Sequence, residues 1–474
     1  MRRTKIICTI GPSSRSPQVL RQLIRFGMDV ARLNFSHGDL DSHEENVSRI
    51  RAAAREERKS VAILVDLQGP KFRLGDLIEE GIHIKEGDEI TFTAKGLLGR
   101  SKDAIPVQNK NLPALLSTGD KILIDDGLME VKTLSIKDDQ ITGQVEVGGR
   151  LKSNKGMNLP GISADLPAMT EKDRHYLTQA LKWDVDWVAL SFVRSPSDME
   201  ILRKFIRTQT DRNIPVMAKI EKPEALHNIE EIIETSDGIM VARGDLGIEI
   251  PAEKVPMAQK RIIERCNQEG IPVVTATQML DSMIRNPRPT RAEASDVANA
   301  LLDGTDAVML SGETTIGRYP VGSLKTMVKI IGEVEETRPQ ISGMPFRPLE
   351  EDINLSIARA VGRAARDAAQ HLDIAAILAV TASGYTARIV SRFRPKAPII
   401  AITPSKRVQR QLKLYWGVSP ILAPRTENTD IMIDNALEAV KERGWVKEGD
   451  LLAITAGTAG SEPGTTNLMR IQIV

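Results

Sequence analysis

Two nearby stretches of the chain, VMAKIE at residues 216–221 and VARGDLG at residues 241–247, decide the fold. Each contains the end of an apolar run, 216–220 in the first and 238–241 in the second, and carries charged residues there: Lys219 and Glu221 in the first and Asp245 in the second. Continuous apolar runs of this length are typical of strands buried on both faces of a parallel sheet. Because side chains two residues apart share one face of a strand, we expect Lys219 and Glu221 to point together, and Arg243 and Asp245 likewise.

The same pattern recurs through the first 335 residues, where short apolar runs alternate with longer amphipathic stretches. This rhythm is typical of βα units around a parallel sheet. Eight such runs are present, at residues 5–10, 30–34, 61–66, 187–192, 216–220, 238–241, 273–277 and 307–310. Eight parallel strands with intervening helices are the number that closes a (β/α)₈ (TIM) barrel, so the sequence predicts an α/β protein of that type.

Two interruptions predict further domains. The long gap after the third run contains short alternating strands, at 89–93, 121–124, 130–134 and 140–147. We therefore expect a catalytic barrel at 1–71 and 166–338, with a small all-β domain, a β-barrel lid, inserted at 72–165. A proline-rich linker at 338–348 then precedes a C-terminal domain at 350–474. Its predicted helix at 353–370 and strands at 375–380, 399–402, 420–423, 451–455 and 469–474 indicate a three-layer α/β regulatory domain.

Composition excludes several classes of protein. Lys and Arg together number 64 against 63 Asp and Glu, and this balance argues against nucleic acid or an acidic membrane as a partner. Cys8 and Cys266 cannot build a disulfide framework and lie in apolar surroundings, which predicts two small core residues. The basic N-terminus leads into a strand-length run rather than a signal segment, so we expect a cytoplasmic protein.

Polar residues follow nearly every apolar run. In a (β/α)₈ barrel the functional residues collect at the carboxyl ends of the strands, so these side chains should meet at one face. They are Arg32, Asn34, Ser36, Asp66, Ser191, Lys219, Glu221, Arg243, Asp245, Thr275, Thr277, Ser311 and Glu313. A salt-bridge network that ties the strands together would explain any single pair of charged residues. It does not explain a full face of polar residues.

This residue set fits one kind of chemistry. Glu221 and Asp245 would come from neighbouring strands, and two carboxylates with water and substrate oxygens are a usual way of holding Mg²⁺. Lys219 beside them, with Arg32 as a second cation, could stabilise a phosphoryl group in transfer. The chain contains no Walker A sequence and no dinucleotide GxGxxG fingerprint.

Nine segments resemble the pyruvate kinase family, in order and over essentially the full chain. They are TKIICTIGP at 4–12, RLNFSHG at 32–38, VDLQG at 65–69, NLPG at 158–161, MAKIE at 217–221, VARGDLG at 241–247, ATQMLDSM at 276–283, PRPTRA at 287–292 and VMLSGET at 308–314. The resemblance implies transfer of the phosphoryl group of phosphoenolpyruvate to ADP, giving pyruvate and ATP. It also implies a homotetramer.

The resemblance assigns roles to the matched positions. Glu221 and Asp245 would bind Mg²⁺, or Mn²⁺ in its place, and Lys219 would stabilise the transferring phosphoryl group. The substrate contacts would be Arg32, Arg73, Ser191, Gly244, Asp245 and Thr277; the nucleotide contacts would be Asn34, His37, Arg73 and Lys155; and a proton relay to the enolate would pass near Thr277 and Ser311.

One departure from the common family pattern concerns K⁺. Many members hold K⁺ with an Asn, a Ser and an Asp-Thr pair, assisted by a Glu in a Gly-Pro-Glu sequence. Asn34, Ser36 and Asp66 are present here, but Leu67 stands in place of the Thr and Lys71 in place of the Glu. This form resembles the K⁺-independent members, and a tethered ammonium could supply the charge of the missing cation.

The C-terminal domain resembles the regulatory domain of the family. Thr381, Ser383, Gly384 and Thr386 follow an apolar strand and open a helix, an arrangement suited to a phosphate group. A loop at 455–466 is a candidate lid over it. We expect an activating sugar phosphate or AMP here, with a capped helix that binds nothing as the alternative.

Two other functions stay open at this point. A Mg²⁺-dependent carbon–carbon lyase of the barrel class, acting on pyruvate or phosphoenolpyruvate, would also use a Glu and Asp pair. It would need neither Lys219 beside the metal nor the two additional domains. A non-catalytic metabolite sensor would have no need to keep Lys219, Glu221 and Asp245.

Overall fold

A computed structural model describes residues 1–96, 98–162, 167–337, 353–424, 428–458 and 465–474. The first part of the barrel consists of strands that alternate with helices. These are β1 (Lys5–Thr9), α1 (Pro17–Phe26), β2 (Val30–Asn34), α2 (Leu40–Glu56) and β3 (Ala62–Asp66).

The inserted segment follows β3 and forms a separate sheet. Its elements are β4 (Phe72–Arg73), β5 (Ile82–Ile84), β6 (Glu89–Thr93), β7 (Ile105–Pro106), α3 (Leu112–Leu115), β8 (Lys121–Ile124), β9 (Met129–Lys137), β10 (Gln140–Val147), β11 (Gly149–Leu151) and β12 (Gly156–Asn158). Seven strands pair in the order β4-β12-β8-β9-β10-β6-β7, and a bridge from Leu74 to Val107 brings the two edges together. The segment is therefore β-rich as predicted, except for the short helix α3.

The chain then returns to the barrel and completes it. The remaining elements are α4 (Glu171–Ala180), β13 (Trp187–Leu190), α5 (Pro196–Gln209), β14 (Val216–Ile220), α6 (Pro223–His227), α7 (Ile229–Thr235), β15 (Gly238–Ala242), α8 (Arg243–Glu249), α9 (Val255–Glu269), β16 (Val273–Ala276), α10 (Arg291–Asp303), β17 (Ala307–Leu310), α11 (Gly312–Thr315) and α12 (Pro320–Thr337). The sheet closes in the order β1-β17-β16-β15-β14-β13-β3-β2. The predicted (β/α)₈ barrel is confirmed.

Alternation along each barrel strand separates two layers of core. Ile6 and Cys8 of β1 pack among the surrounding helices, whereas Ile7 points into the barrel with residues such as Leu64 and Met217. Cys8 and Cys266 are both buried and free, and burial raises the pKa of both thiols. They are core residues, as predicted.

The C-terminal part forms a five-stranded sheet. Its elements are α13 (Ile353–His371), β18 (Ile374–Val380), α14 (Tyr385–Arg392), β19 (Ile399–Thr403), α15 (Lys406–Gln411), β20 (Val418–Leu422), α16 (Thr429–Lys441), β21 (Leu451–Ala456) and β22 (Leu468–Ile473). The strand order is β20-β19-β18-β21-β22, with β22 antiparallel. Alternate residues of β18 face α13 and α14 on one side and α16 on the other, which makes the three predicted layers.

A repeated aspartate organises the amino-terminal end of the barrel. Asp29, Asp186, Asp237 and Asp306 each directly precede β2, β13, β15 or β17, and each carboxylate accepts the backbone N–H of a residue in the neighbouring strand that comes before it in the barrel. Three of these carboxylates also form ion pairs with cations from the C-terminal sheet domain: Asp29 with Lys413, Asp186 with Arg410, and Asp306 with Arg394. The same carboxylates therefore join strands within the barrel and fasten the C-terminal domain to it.

Among the residues described, no helix has both the length and the apolar character that a bilayer crossing requires. The predicted linker at 338–348 lies outside the described residues, as does half of the loop at 455–466, namely residues 459–464.

Candidate active site

A buried chain of alternating charges lies at the carboxyl end of the barrel. Lys219 at the end of β14 places its Nζ 2.9 Å from Oε1 of Glu221 and 3.2 Å from Oδ1 of Asp66. The other carboxylate oxygen of Asp66 accepts a hydrogen bond of 2.6 Å from Nε of Arg32. Ser191 accepts a hydrogen bond from Lys219 at 2.6 Å. The expected pairing of Lys219 with Glu221 is thus observed.

Opposite charges keep these groups ionised despite their burial. Burial alone would lower the pKa of Lys219, but Asp66 and Glu221 outweigh it and raise that pKa above its ordinary value. Burial alone would raise the pKa of Asp66, yet Lys219 and Arg32 hold it below its usual range. An ammonium and a guanidinium are therefore fixed in position where water is scarce, and such groups act strongly on an incoming anion.

Glu221 and Asp245 are the two carboxylates available to a divalent cation. Glu221 is 1% exposed, and its Oε2 accepts the N–H of Phe192 at 2.8 Å. Burial and the charge of Asp245 raise the pKa of Glu221, so the two carboxylates lie close enough to repel each other. Mg²⁺ is commonly bound by one or two carboxylates together with water and substrate oxygens, and this pair fits that pattern. In the described part of the chain no group of three or more His, Cys, Asp or Glu side chains could hold a metal alone.

The loop after β3 brings a lysine to this carboxylate pair. Nζ of Lys71 lies 3.2 Å from Oδ1 of Asp245. The side chain of Lys71 rests against Gly156 of β12, where an added Cβ would approach Cε of Lys71 to 2.8 Å. Glycine at 156 therefore gives Lys71 the space it needs to reach Asp245.

The expectation that Arg243 shares a strand face with Asp245 is wrong. β15 ends at Ala242, and α8 begins at Arg243, so residues two apart no longer point together. The guanidinium of Arg243 turns away from the lysines, pairing with Asp296 at 2.7 Å and donating to the carbonyl of Thr277 at 2.8 Å. Arg243 supports the loop after β16.

Thr277 and Gly244 meet beside the acidic pair. Thr277 adopts a left-handed backbone with φ of 70° at the end of β16, and its Oγ1 accepts the N–H of Gly244 at 2.7 Å. A left-handed conformation is strained for a β-branched residue, and such strain collects at functional sites. The N–H of Gly244 therefore points at the hydroxyl oxygen of Thr277, beside the acidic pair.

Ser311 presents a polar atom without a partner. Its Oγ is buried and has no hydrogen bond to any part of the chain that the structure describes, while its N–H donates to Oε2 of Glu313 at 2.7 Å. Burial raises the pKa of Glu313, which also accepts the N–H of Leu280 at 2.9 Å. A buried hydroxyl without a partner suits a site that receives water or substrate.

The predicted nucleotide contacts are spread over the barrel rim and the inserted sheet. Asn34 accepts the N–H of Ser36 at 3.2 Å, which fixes the turn that carries His37. Burial, together with Arg73, Arg32 and Lys71, lowers the pKa of His37. Arg73 donates to the carbonyl of Asn154 at 2.8 Å, and Lys155 forms an ion pair with Asp125 at 2.7 Å.

The residues of the expected K⁺ pocket are largely engaged in other contacts. Both carboxylate oxygens of Asp66 already face cations, as described above. The Leu67 side chain is fully buried in the hydrophobic core, and its carbonyl accepts the Ser191 hydroxyl at 2.7 Å. Leu67 therefore offers no side-chain oxygen to a monovalent cation.

In the C-terminal sheet domain the predicted effector residues surround the start of α14. Gly384 caps this helix with φ of 90°, and its N–H donates to Oγ1 of Thr381 at 2.9 Å. Thr386 is buried and hydrogen-bonded to Thr466 at 2.9 Å, whereas Ser383 is exposed. The loop therefore offers one exposed hydroxyl at Ser383, while those of Thr381 and Thr386 are already engaged.

Two residues of the site were missed at the sequence level. Thr9 at the end of β1 accepts a hydrogen bond of 2.9 Å from Arg32, and the reading of strand ends could have found it. Phe192 supplies an N–H to Glu221 from a left-handed backbone with φ of 56°, a conformation that no sequence signal predicts for phenylalanine.

The barrel and its fixed cations beside an acidic pair define a (β/α)₈ enzyme built to bind anionic substrates. Residues 1–324 match the pyruvate kinase barrel domain, and residues 359–472 match the pyruvate kinase alpha/beta domain. The chain belongs to the pyruvate kinase family, and it is a phosphotransferase.

Curated relatives match over the whole chain. A pyruvate kinase of Geobacillus stearothermophilus is 47% identical over 100% of this chain and 80% of its own length. Pyruvate kinases of Bacillus licheniformis and of Staphylococcus aureus strain MRSA252 are 45% and 46% identical, again over 100% of this chain and 81% of their lengths.

Proposed function

We propose that the protein transfers the phosphoryl group of phosphoenolpyruvate to ADP, giving pyruvate and ATP, with Mg²⁺ as its divalent cation. The observation that carries this proposal is the buried Lys219 ammonium, held between Asp66 and Glu221 with Arg32 on the far side of Asp66. A loose phosphoryl-transfer transition state spreads negative charge over three oxygens, and fixed cations stabilise it more than they stabilise the ground state.

In the reaction the bond from phosphorus to the enol oxygen breaks, and a bond to a terminal oxygen of ADP forms. Lys219 and Arg32 bind the phosphoryl oxygens, with Ser191 orienting Lys219. Glu221 and Asp245 would hold Mg²⁺, or Mn²⁺ in its place, which supplies positive charge to the phosphate and enolate oxygens.

The rest of the barrel rim would bind the carboxylate of the substrate and help to protonate the enolate, which gives pyruvate. The substrate carboxylate takes the place of the Thr277 hydroxyl as acceptor for the N–H of Gly244, with the N–H of Asp245 beside it. The enolate left after transfer needs a proton at carbon, and the unpartnered Ser311 hydroxyl with Thr277 supports a water relay there.

We place the nucleotide between the barrel rim and the inserted domain, against Asn34, His37, Arg73 and Lys155. The domain at 72–165 would act as the lid of the barrel at 1–71 and 166–338. Lys71 lies in the connection between the two domains. Its side chain contacts Gly156 of the inserted domain and Asp245 of the acidic pair, and these contacts support this division.

The protein would not need K⁺. Lys71 brings a positive charge to 3.2 Å from Asp245, and Leu67 offers no side-chain ligand to a monovalent cation. A fixed ammonium at this place supplies charge without the binding step that a free ion requires.

The loop with Thr381, Ser383, Gly384 and Thr386, in a C-terminal domain at 350–474, would bind a phosphorylated activator, either a sugar phosphate or AMP. The exposed Ser383 and the start of α14 support a phosphate contact. Calorimetric titration should show heat with one of the two ligands and a leftward shift of the substrate saturation curve. Absence of both would remove this part of the proposal.

The homotetramer that the family suggests would appear as four chain masses in sedimentation equilibrium.

The reaction itself is tested by a coupled assay that detects pyruvate formed from phosphoenolpyruvate and ADP. We expect turnover with Mg²⁺ that stops on chelation, and turnover about 1000-fold slower in Lys219→Met. Consumption of phosphoenolpyruvate without pyruvate would instead favour a carbon–carbon lyase.

A further inference from the structure

A small cavity lies where the C-terminal sheet domain meets the amino-terminal end of the barrel. It opens to solvent, its enclosed part has a volume of about 10 Å³, and it lies at the opposite end of the barrel from the strand ends described above. The barrel contributes the end of α9, the loop before β16, and Asp306. The C-terminal domain contributes α14 with the residues after it, and Tyr415.

The lining carries more positive than negative charge. Three arginines, Arg388, Arg392 and Arg394, face one carboxylate, that of Asp306. Tyr415 does not balance them, because burial raises the pKa of its phenol to about 12.

The hydrogen-bond acceptors of the lining are already used. Asp306 accepts the N–H groups of Val273 at 2.9 Å and Trp416 at 3.4 Å, besides its ion pair with Arg394 at 3.1 Å. Ser391 donates its hydroxyl to the carbonyl of Trp416 at 2.7 Å. The remaining hydrogen-bonding capacity of the lining therefore lies mainly with its guanidinium donors.

Two of the three guanidinium groups have donors to spare. The side chain of Arg394 is 8% exposed; its Nη2 bonds to Asn267 at 2.8 Å and to Gly304 at 3.0 Å, while its Nη1 is buried with no partner in the described part of the chain. Arg388 has its guanidinium carbon 5.7 Å from the centre of the Tyr415 ring. Among the residues described, its guanidinium group forms no hydrogen bond and no ion pair.

Backbone geometry supports an open space here. Gly270 ends α9 in a left-handed conformation with φ of 74°, and an added Cβ would approach Cδ of Arg392 to 2.8 Å. The missing side chain lets Arg392 lie across the end of α9 and donate to the carbonyl of Gln268.

We propose that this cavity binds a small oxyanion, with inorganic phosphate or sulfate as the matching charge. An anion would complete the bonding of Arg388 and the free Nη1 of Arg394, because both are donors and the available acceptors are occupied. Since both domains line the cavity, a bound anion joins the C-terminal domain to the barrel. The site is separate from the effector loop, which lies at the other end of α14, and it does not depend on the proposed reaction.

Crystals soaked in selenate locate such a site directly. We expect an anomalous difference peak within hydrogen-bonding distance of Arg388 and Arg394 in the unaltered protein. The peak should be lost in Arg388→Gln and kept in Arg407→Gln, which removes the same charge from α15 outside the cavity. A cavity without a peak in the unaltered protein would overturn the proposal.

Equilibrium dialysis with labelled inorganic phosphate tests binding in solution. Arg388→Gln should bind one phosphate fewer per chain than Arg407→Gln. Ser383→Ala, which alters the effector loop alone, should keep the cavity site. Equal binding by the Arg388 and Arg407 variants would contradict the site. The Arg388 variant should fold normally, because this side chain makes no ion pair that the substitution would break.

Discussion

Nζ of Lys71 lies 3.2 Å from Oδ1 of Asp245, so a lysine from the loop after β3 reaches the acidic pair at the far side of the barrel mouth. In the proposed function, this covalently tethered positive charge takes the place of a monovalent cation. Two predictions follow from it, one that reverses the charge and one that moves it.

Lys71→Glu should make the enzyme dependent on K⁺. The substitution removes the ammonium and adds a carboxylate that attracts a free cation, so activity in tetramethylammonium should fall at least tenfold and recover on addition of K⁺. Lys172→Glu makes the same charge change at an exposed lysine that bonds to Gln68, and it should leave the K⁺ response unchanged. Steady-state rates at matched ionic strength measure both. A Lys71→Glu enzyme indifferent to K⁺ would contradict the role given to Lys71.

Gly156→Ala should displace Lys71 without removing it. The new Cβ would meet Cε of Lys71 at 2.8 Å, and the flexible end of the lysine can move aside at small cost in stability. We expect a lower rate in the absence of K⁺ with a nearly unchanged midpoint of thermal unfolding. Gly332→Ala, at a helical glycine with open space around it, is the control: it should leave the rate unchanged and, because alanine favours the helix, should not lower the midpoint. A rate equal to that of the unaltered protein would show that the position of Lys71 does not matter.

Lys219→Met should reduce kcat by about 1000-fold, the loss typical of removing one preorganised electrostatic group, while binding of phosphoenolpyruvate changes little. The reason is that the ammonium interacts most strongly with charge that develops during transfer. Rapid-mixing kinetics and equilibrium binding separate the two effects. A variant that loses binding and keeps kcat would assign Lys219 to ground-state binding.

Asp186→Asn should destabilise the fold where the two domains meet. Asp186 is fully buried, pairs with Arg51 at 2.8 Å and Arg410 at 2.7 Å, and accepts the N–H of Ile63. Removing one partner of a buried ionic network costs about 3–5 kcal/mol. Denaturant unfolding measures the change.

Asp184→Asn is the matched control for Asp186→Asn. Asp184 also pairs with Arg410, at 2.6 Å, but its side chain is 55% exposed. The free energy of unfolding should therefore fall by about 1 kcal/mol or less. Equal losses for the two variants would show that burial of Asp186 does not strengthen its contacts.

The barrel was predictable because its strands are continuous apolar runs, and the pairing of Lys219 with Glu221 followed from the two-residue period of a strand. Strands of two or three residues, such as β4 and β7, are too short to show a period. The predicted orientation of Arg243 is wrong because a helix begins at that residue, and side chains two residues apart do not share a face of a helix.

Contacts across the fold needed the structure. Asp66 bridges Arg32 and Lys219 only once the barrel has closed and brought β2, β3 and β14 to one end. The aspartates that precede β2, β13, β15 and β17 are separate residues in the sequence, and their common role appears when each is seen to bond to the strand before it.

The central claim is tested most directly by ³¹P NMR of phosphoenolpyruvate and ADP mixed with the purified protein and Mg²⁺, with tetramethylammonium as the sole monovalent cation. We predict that the phosphoenolpyruvate resonance falls and that the γ-phosphate resonance of ATP rises in equal amount. Loss of phosphoenolpyruvate with inorganic phosphate as the product, or no loss at all, would contradict the account.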